Sequence, residues 1–222
     1  MFVLGVDIGY SNLKLAIGQS GSEPKTIILP AGAGPADRMP ERIGGGDDET
    51  CLYVSVDNER WAAGVPAGRL QSWERELHPE YPTTKTYKAL FHAALLMAET
   101  ESIDLVVTGL PVSQFHEPQR KSDLVQRLKG VHQVTPKRSI TVRDVKVLPQ
   151  PAGAYMDLVQ TGGDLGLIEE GRVVVIDPGF FSVDWVALEA GEIRYSSSGT
   201  SLQAMSVLLE TIDKLISEDH GA

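Results

Sequence analysis

The chain contains little cysteine and less basic than acidic charge. Its 222 residues include one cysteine, Cys51, and 20 Lys and Arg against 30 Asp and Glu, which gives a formal net charge of −10. One cysteine allows no internal disulfide and is too few for a zinc site. The acidic balance disfavours broad electrostatic binding of nucleic acid across the surface.

Long hydrophobic runs are also absent. No stretch approaches the ~18 consecutive apolar residues that indicate a membrane-spanning helix. The first residues run directly into an apolar segment without a basic region or a cleavage site, so we expect no signal peptide and no membrane partner. The 42% hydrophobic and 23% charged residues are typical of a globular protein. We therefore predict a cytoplasmic location.

The periodicity of the apolar residues predicts an α/β protein with a repeated organisation. The first part has the predicted order β-β-β, a hairpin near 50–65, then α-β-α-β-α, whereas the second part has β-β-β-α and then the sequence stops. We expect a first domain over 1–165 and the start of a second over 166–222. The predicted strands are 2–7, 13–17, 25–29, 52–56, 60–62, 103–108, 139–148, 172–177, 183–189 and 192–195. The predicted helices follow Pro82 (capped by Thr83 or Thr84), Pro118 and Pro151, with a last one over 202–216.

Each part places an acidic residue at the end of its first strand and a glycine two positions later. The two segments are DIGYSNLK from Asp7 and DPGFFSVD from Asp177. A tight strand–turn–strand with glycine presents backbone N–H groups to an anion. Two carboxylates beside such turns fit a divalent cation placed between them and phosphates, as Mg²⁺ is commonly bound. No G-x-x-x-x-G-K-[ST] segment is present, which excludes a P-loop.

Side chains in both turns can add to phosphate binding. Ser11, Asn12 and Ser182 supply donors, and Lys14 supplies one cation. Asp184 is a candidate second carboxylate near the metal, or alternatively an exposed strand residue. Each D-x-G turn alone is most often structural, and the functional interpretation depends on finding two of them in equivalent places.

The segments VDIGYSNLKLAIG, VVTGLPVSQF, RDVKVLPQPAGAYMDL and VVVIDPGFFSVDW resemble the actin-like ATPase superfamily, which has a duplicated RNase H-like fold. Within it the chain is similar to plasmid-segregation proteins of the ParM type, and most similar to the protein D family of plasmid PRTRC systems. The resemblance implies ATP and Mg²⁺ as cofactors, self-association into filaments, and an adaptor protein that binds plasmid DNA. It also implies an incomplete second domain, because the last third of the family's sequence has no counterpart here.

The resemblance further implies roles for individual residues. Asp7, Asp177 and Asp184 would serve the metal, and Gln150 and Asp177 would be catalytic, with Gln150 orienting the attacking water. Phe180 and Phe181 stand where small or hydroxyl residues are common in the family. The implied phosphate-binding residues are Gly9, Tyr10, Ser11, Asn12, Lys14, Gly179, Phe180, Phe181 and Ser182.

Two other functions remain open from the sequence. A small-molecule kinase of the same fold would need an acidic general base, for which Glu117 and Asp123 are the candidates. A non-catalytic interaction module is the other alternative, since the region that would hold adenosine is absent from the sequence.

Overall fold

A computed structural model describes residues 1–40, 51–71, 78–162, 166 and 170–220. Its contacts divide the chain into two compact units. The first comprises Met1–Thr108 and Asp123–Lys146, and the second comprises Gly109–Ser122 and Val147–Ala222. This division differs from the boundary expected at 165, a position that lies outside the described residues, so that domain boundary stays a prediction.

A five-stranded sheet begins in the first unit. Its order is β11-β8-β1-β2-β3, in which β1 pairs antiparallel with β2 and parallel with β8. β8 and β11 run on from the first unit into the second. The three predicted N-terminal strands are therefore confirmed as a meander. The strands are β1 (Phe2–Ile8), β2 (Asn12–Gln19), β3 (Lys25–Pro30), β8 (Leu105–Leu110) and β11 (Val145–Pro149).

A second, three-stranded sheet contains the predicted hairpin. It joins β4 (Gly32–Pro35), β6 (Glu59–Val65) and β5 (Leu52–Val56). Asp57 and Asn58 have φ angles of 51° and 66°, as a two-residue type I′ turn requires. β4 was not among the predicted strands because the sequence over 30–50 is rich in Gly, Pro and Asp, which favours a loop. Residues 41–50 lie outside the described ones.

The longest helix of the first unit is α1, Lys85–Met97. It begins as predicted, since the Thr84 hydroxyl accepts a hydrogen bond of 3.1 Å from the backbone N–H of Tyr87. Its buried side chains face the sheets, and Phe91 and Leu95 are almost fully buried. The helix therefore anchors the core of this unit.

The predicted single strand over 139–148 is wrong. Two strands occupy it, β10 (Arg138–Val142) and β11, and they belong to different sheets. β10 lies between β7 (Ser102–Ile103) and β9 (Gly130–Thr135). Alternation continues on both sides of the break at 143–144, so the period alone could not reveal it.

We expect the first unit to lose stability at mildly acidic pH because of His92 on α1. Burial lowers the pKa of His92 from 6.5 to about 4, with smaller effects from His132, Lys88 and Asp57. Between these two values the unfolded chain binds a proton that the folded chain does not, so the free energy of unfolding falls as pH falls. From pH 7.5 to pH 5 the loss should be about 2 kcal/mol from this group.

Urea unfolding between pH 7.5 and pH 5 measures this slope. His92→Gln should reduce the slope of the free energy of unfolding against pH. Part of the slope should remain in this variant, because burial also lowers the pKa of His132. Identical slopes for the two proteins would contradict the assignment.

The second unit has its own sheet, with the order β12-β13-β14 and β15 also paired to β13. Val186 and Leu188 on one face of β13 pack with Val112, and Tyr155 of α4 lies against them. On β12 the alternate side chains Val174 and Ile176 are 60% and 63% exposed. The strands are β12 (Arg172–Pro178), β13 (Val183–Glu189), β14 (Glu192–Ile193) and β15 (Gly199–Ser201).

Four further helices complete the described chain. The predicted helices after Pro118 and Pro151 and the last one are confirmed, whereas the short α2 and the strand β15 were not foreseen. Among the described residues no helix is both long and apolar enough to cross a membrane. The helices are α2 (Val112–Phe115), α3 (Pro118–Leu128), α4 (Ala152–Gln160) and α5 (Met205–His220).

Candidate nucleotide-binding turns

The first turn joins β1 to β2 in the first unit. Asp7 lies opposite Lys14 in the strand register, and the Lys14 ammonium contacts its carboxylate at 3.1 Å. The Gly9 N–H donates to the Asn12 carbonyl at 3.0 Å, and a Cβ on Gly9 would lie 3.3 Å from that oxygen. Ser11 is exposed at the tip. The turn is therefore tight, and it leaves a carboxylate, an ammonium and a hydroxyl open to solvent.

Tyr10 is held differently from its neighbours in this turn. Its ring stacks on Tyr81 with centroids 4.5 Å apart, and its hydroxyl donates to the His78 carbonyl at 2.9 Å. Burial raises the pKa of this phenol. The Tyr10 side chain thus fixes the turn to the 78–81 segment. Tyr10 would therefore contact a phosphate through its backbone and not through its side chain.

The second turn joins β12 to β13 in the second unit. Asp177 lies opposite Asp184 in the register, and the Gly179 N–H donates to the Ser182 carbonyl at 2.9 Å. A Cβ on Gly179 would lie 2.7 Å from that oxygen, closer than real Cβ contacts allow. The Phe180 carbonyl accepts from the Ser206 N–H at 2.9 Å, which ties the turn to the start of α5.

The two turns share one backbone plan. In each, an Asp is the last residue but one of the strand, and the glycine two residues later donates to the carbonyl three residues beyond it. The Asp pairs with the residue seven positions later. Two turns of the same construction, each between the first two antiparallel strands of its sheet segment, match the repetition predicted from the sequence. A side chain would press on the turn's own carbonyl at both positions, severely at Gly179 and more mildly at Gly9.

Asp184 is a buried carboxylate, 2% exposed, with three donors from the second unit. Its Oδ1 accepts from the Val112 N–H at 2.7 Å and from the Thr200 hydroxyl, and its Oδ2 accepts from the Ser182 hydroxyl at 2.7 Å. Thr200 in turn accepts from the Ser113 N–H at 2.9 Å. The carboxylate joins the second turn to the start of α2 and to β15, which sequence reasoning did not foresee; its role toward a metal stays a prediction.

We expect Asp184→Ala to lower the free energy of unfolding by about 2–4 kcal/mol, because the buried Val112 N–H and the two hydroxyls lose their acceptor. Asp213→Ala, on an exposed position of α5, removes the same charge and should change stability by less than about 0.5 kcal/mol. Denaturant unfolding compares the two. Equal stabilities would show that Asp184 does not hold the second unit together.

Gln150 follows β11, at the place where β8 also ends. Its N–H donates to the Leu110 carbonyl at 2.9 Å, and its carbonyl accepts from Gly153 at 3.2 Å. A Cβ on Gly109 would lie 2.7 Å from the Gln150 Cγ. Gly109 therefore makes room for the Gln150 side chain and helps to position it. In the sequence, the glycine of Gly109-Leu110-Pro111 is the feature that could have indicated this role.

A divalent cation fits these turns only with ligands from outside the chain. In the described ranges no group of three or more His, Cys, Asp or Glu could hold a metal. Mg²⁺ often uses one or two carboxylates together with phosphate oxygens and water, so Asp7 or Asp177 beside a bound phosphate meets that requirement. The kinase alternative has less structural support, because the Glu117 carboxylate is engaged by the Arg120 side chain at 2.8 Å.

Solved structures similar to this chain include ParM, an archaeal actin homolog and AlfA. The chain has TM-scores of 0.68 with apo psk41 ParM (15% identity; 97% of this chain and 70% of that chain) and 0.69 with the archaeal actin homolog Ta0583 in complex with ADP (20%; 100% and 67%). It also matches the AlfA filament bound to AMPPNP with a TM-score of 0.62 (15%; 97% and 77%). The fold is therefore actin-like, as the sequence predicted.

The family follows from a separate comparison. The model of the "Actin like proteins N terminal domain" matches residues 5–153, two thirds of the sequence. The chain belongs to this family of actin-like proteins. No curated protein matches it. The more specific similarity to the PRTRC protein D family stays a prediction.

Proposed function

We propose that this actin-like chain binds ATP with Mg²⁺ through its two glycine turns and hydrolyses it in step with filament assembly. The observation that carries the proposal is the common backbone plan of the turns at Gly9 and Gly179. The same Asp, the same glycine and the same hydrogen bond recur in two turns that lie 170 residues apart in the sequence. This repetition supports one role for both turns, which we propose is contact with the phosphates of ATP.

Each turn contributes different groups in this proposal. The first offers the Lys14 ammonium and the exposed Ser11 and Asn12 side chains to phosphate oxygens. In the second, the backbone of the turn, Gly179, Phe180, Phe181 and Ser182, is proposed to lie against the phosphates. Asp7 and Asp177 hold the water shell of Mg²⁺, which neutralises phosphate charge, and Gln150 orients the attacking water.

The similar structures support nucleotide binding and filament assembly. One similar structure is in complex with ADP and another is a filament bound to AMPPNP. We also propose a role in plasmid segregation, an adaptor that binds plasmid DNA, and a cytoplasmic location, because ParM is among the similar structures.

Isothermal titration calorimetry with ATP, in Mg²⁺ and in EDTA, tests the proposal. We expect saturable binding that is tighter with Mg²⁺, and release of inorganic phosphate from the same samples. The absence of any nucleotide binding at millimolar concentration contradicts the proposal, whereas binding without phosphate release leaves only the non-catalytic alternative.

We propose that the chain self-associates through α5. Its apolar side chains lie on one stripe at helical spacing, and each is 42–56% exposed, whereas such a stripe is normally covered. Lys214 lies on the opposite face. β12 also pairs with β13 alone among the described strands, although the equivalent β1 has two neighbours. The stripe consists of Met205, Leu208, Leu209, Ile212, Leu215 and Ile216.

We expect Ile212→Glu to shift the protein from oligomers toward monomers, because it places a charge within the stripe. Lys214→Gln changes the net charge by the same amount on the other face and should leave association unchanged. Light scattering over a concentration series measures the effect. A wild-type protein that stays monomeric at all concentrations would contradict the proposal.

A further inference from the structure

A cavity of about 620 Å³ lies within the first unit, and no residue of the two turns lines it. It is bounded by the β5–β6 hairpin, α1, the end of α3 and the start of β9. Its size is that of a small-molecule site. We propose that it binds a small aromatic anion, such as an aryl phosphate or aryl carboxylate, with the ring toward the buried wall and the anionic group toward Arg127.

The charged side chains of the cavity point to an anion. Lys88, Arg127 and Lys129 line it with one carboxylate, Asp57, in a chain whose net charge is −10. The Asp57 carboxylate forms an ion pair with the Lys88 ammonium at 2.6 Å. Lys129 is paired with Asp144, outside the cavity, at 2.9 Å.

Arg127 is the cation that remains for a ligand. Its exposed guanidinium makes no ion pair with any residue that the structure describes. A guanidinium can bind carboxylate or phosphate through two parallel hydrogen bonds, which gives direction as well as charge.

The inner wall of the cavity is aromatic. The ring of His132 meets Phe91 and His92 edge to face, with centroids 5.2 and 5.6 Å apart. Phe91 and His92 are 1% and 3% exposed, so the half-buried His132 ring is the part of this wall that a ligand reaches, whereas Lys88, Arg127 and Lys129 are exposed. A ligand with a flat apolar ring and one anionic end therefore matches this division better than a simple inorganic anion.

Burial favours the uncharged form of the two histidines on this wall and outweighs the opposite effect of their hydrogen bonds to backbone carbonyls. His92 Nδ1 lies 2.7 Å from the Ser55 carbonyl and His132 Nε2 lies 2.9 Å from the Leu128 carbonyl, so each of these nitrogens is the donor. Burial lowers the pKa of both rings. The wall thus adds no positive charge, and the attraction for an anion is concentrated at the outer cations.

Calorimetric titrations with phenyl phosphate, benzoate, inorganic phosphate and phenol test the proposal. We expect phenyl phosphate or benzoate to bind at least about tenfold more tightly than phosphate or phenol, and to shift the NMR signals of His92 and His132. The relative affinities of phenyl phosphate and benzoate distinguish a phosphate ligand from a carboxylate ligand.

Two variants locate the site. Arg127→Gln should weaken binding of the aryl anion about 10- to 100-fold, the loss expected for a charge-assisted pair. Lys146→Gln, at an exposed position of β11, removes the same charge outside the cavity and should bind as the wild type does. Thermal melting confirms that both variants are folded.

Three results would overturn the proposal: no binding at millimolar concentration, equal binding of inorganic phosphate and phenyl phosphate, or equal affinity in Arg127→Gln. The proposal does not depend on nucleotide binding, so Asp177→Ala should leave the affinity for the aryl anion unchanged.

Discussion

Asp177→Ala is expected to abolish the part of the ATP affinity that depends on Mg²⁺. In the proposed site the carboxylate would order the water around a cation that neutralises the phosphates, and Asp7 alone would not hold that cation in place. Affinities measured in Mg²⁺ and in EDTA should then become equal in the variant, whereas they differ in the wild type. Titration with ATP under the two conditions measures this directly.

Two controls separate the metal role from a structural one. Asp177→Asn keeps the shape of the side chain and should lose the Mg²⁺ effect as well, because the charge is what matters. Asp213→Ala removes a carboxylate from an exposed position of α5 and should keep the effect. If Asp177→Ala binds Mg²⁺-ATP as the wild type does, Asp177 does not serve the metal.

Gln150→Ala is expected to slow ATP hydrolysis by roughly 10²-fold, the loss typical of a positioning group. Affinity for ATP should change little, because the side chain is proposed to contact the attacking water and not the nucleotide. Single-turnover hydrolysis together with calorimetry separates the two quantities. A parallel fall in both would make Gln150 a binding or structural residue.

A pair of glycine substitutions tests the same position without removing the amide. Gly109→Ala places a methyl group where the Gln150 side chain lies, and should slow hydrolysis in the same direction. Gly153→Ala, in α4, has no atom within 4 Å of the new methyl group and should have no effect. Equal rates in the two variants would show that the packing of Gln150 on Gly109 does not matter for catalysis.

The sequence was sufficient where neighbouring residues decide the structure. The cap at Thr84, the turn at Asp57 and Asn58, and the turns at Gly9 and Gly179 each depend on residues within a few positions. Backbone hydrogen bonds of this range are readable from residue type and spacing.

The sequence failed where partners come from distant parts of the chain. β4 pairs with β6 although its Gly and Pro favour a loop, and the break between β10 and β11 depends on two different sheets. Local pattern cannot show which sheet receives a strand, because strand pairing is settled by packing on both faces.

Asp184 shows the same limit within the candidate site. The resemblance implied a role toward a metal, and the sequence left an exposed strand residue as the alternative, which is wrong because Asp184 is buried. Only the tertiary structure brings the Val112 N–H, 72 residues away, and the Thr200 hydroxyl, 16 residues away, onto its carboxylate. The tight turn before Asp184 follows from the local sequence, but the donors that reach a buried carboxylate are set by the path of the whole chain, because burial requires every polar group to find a partner.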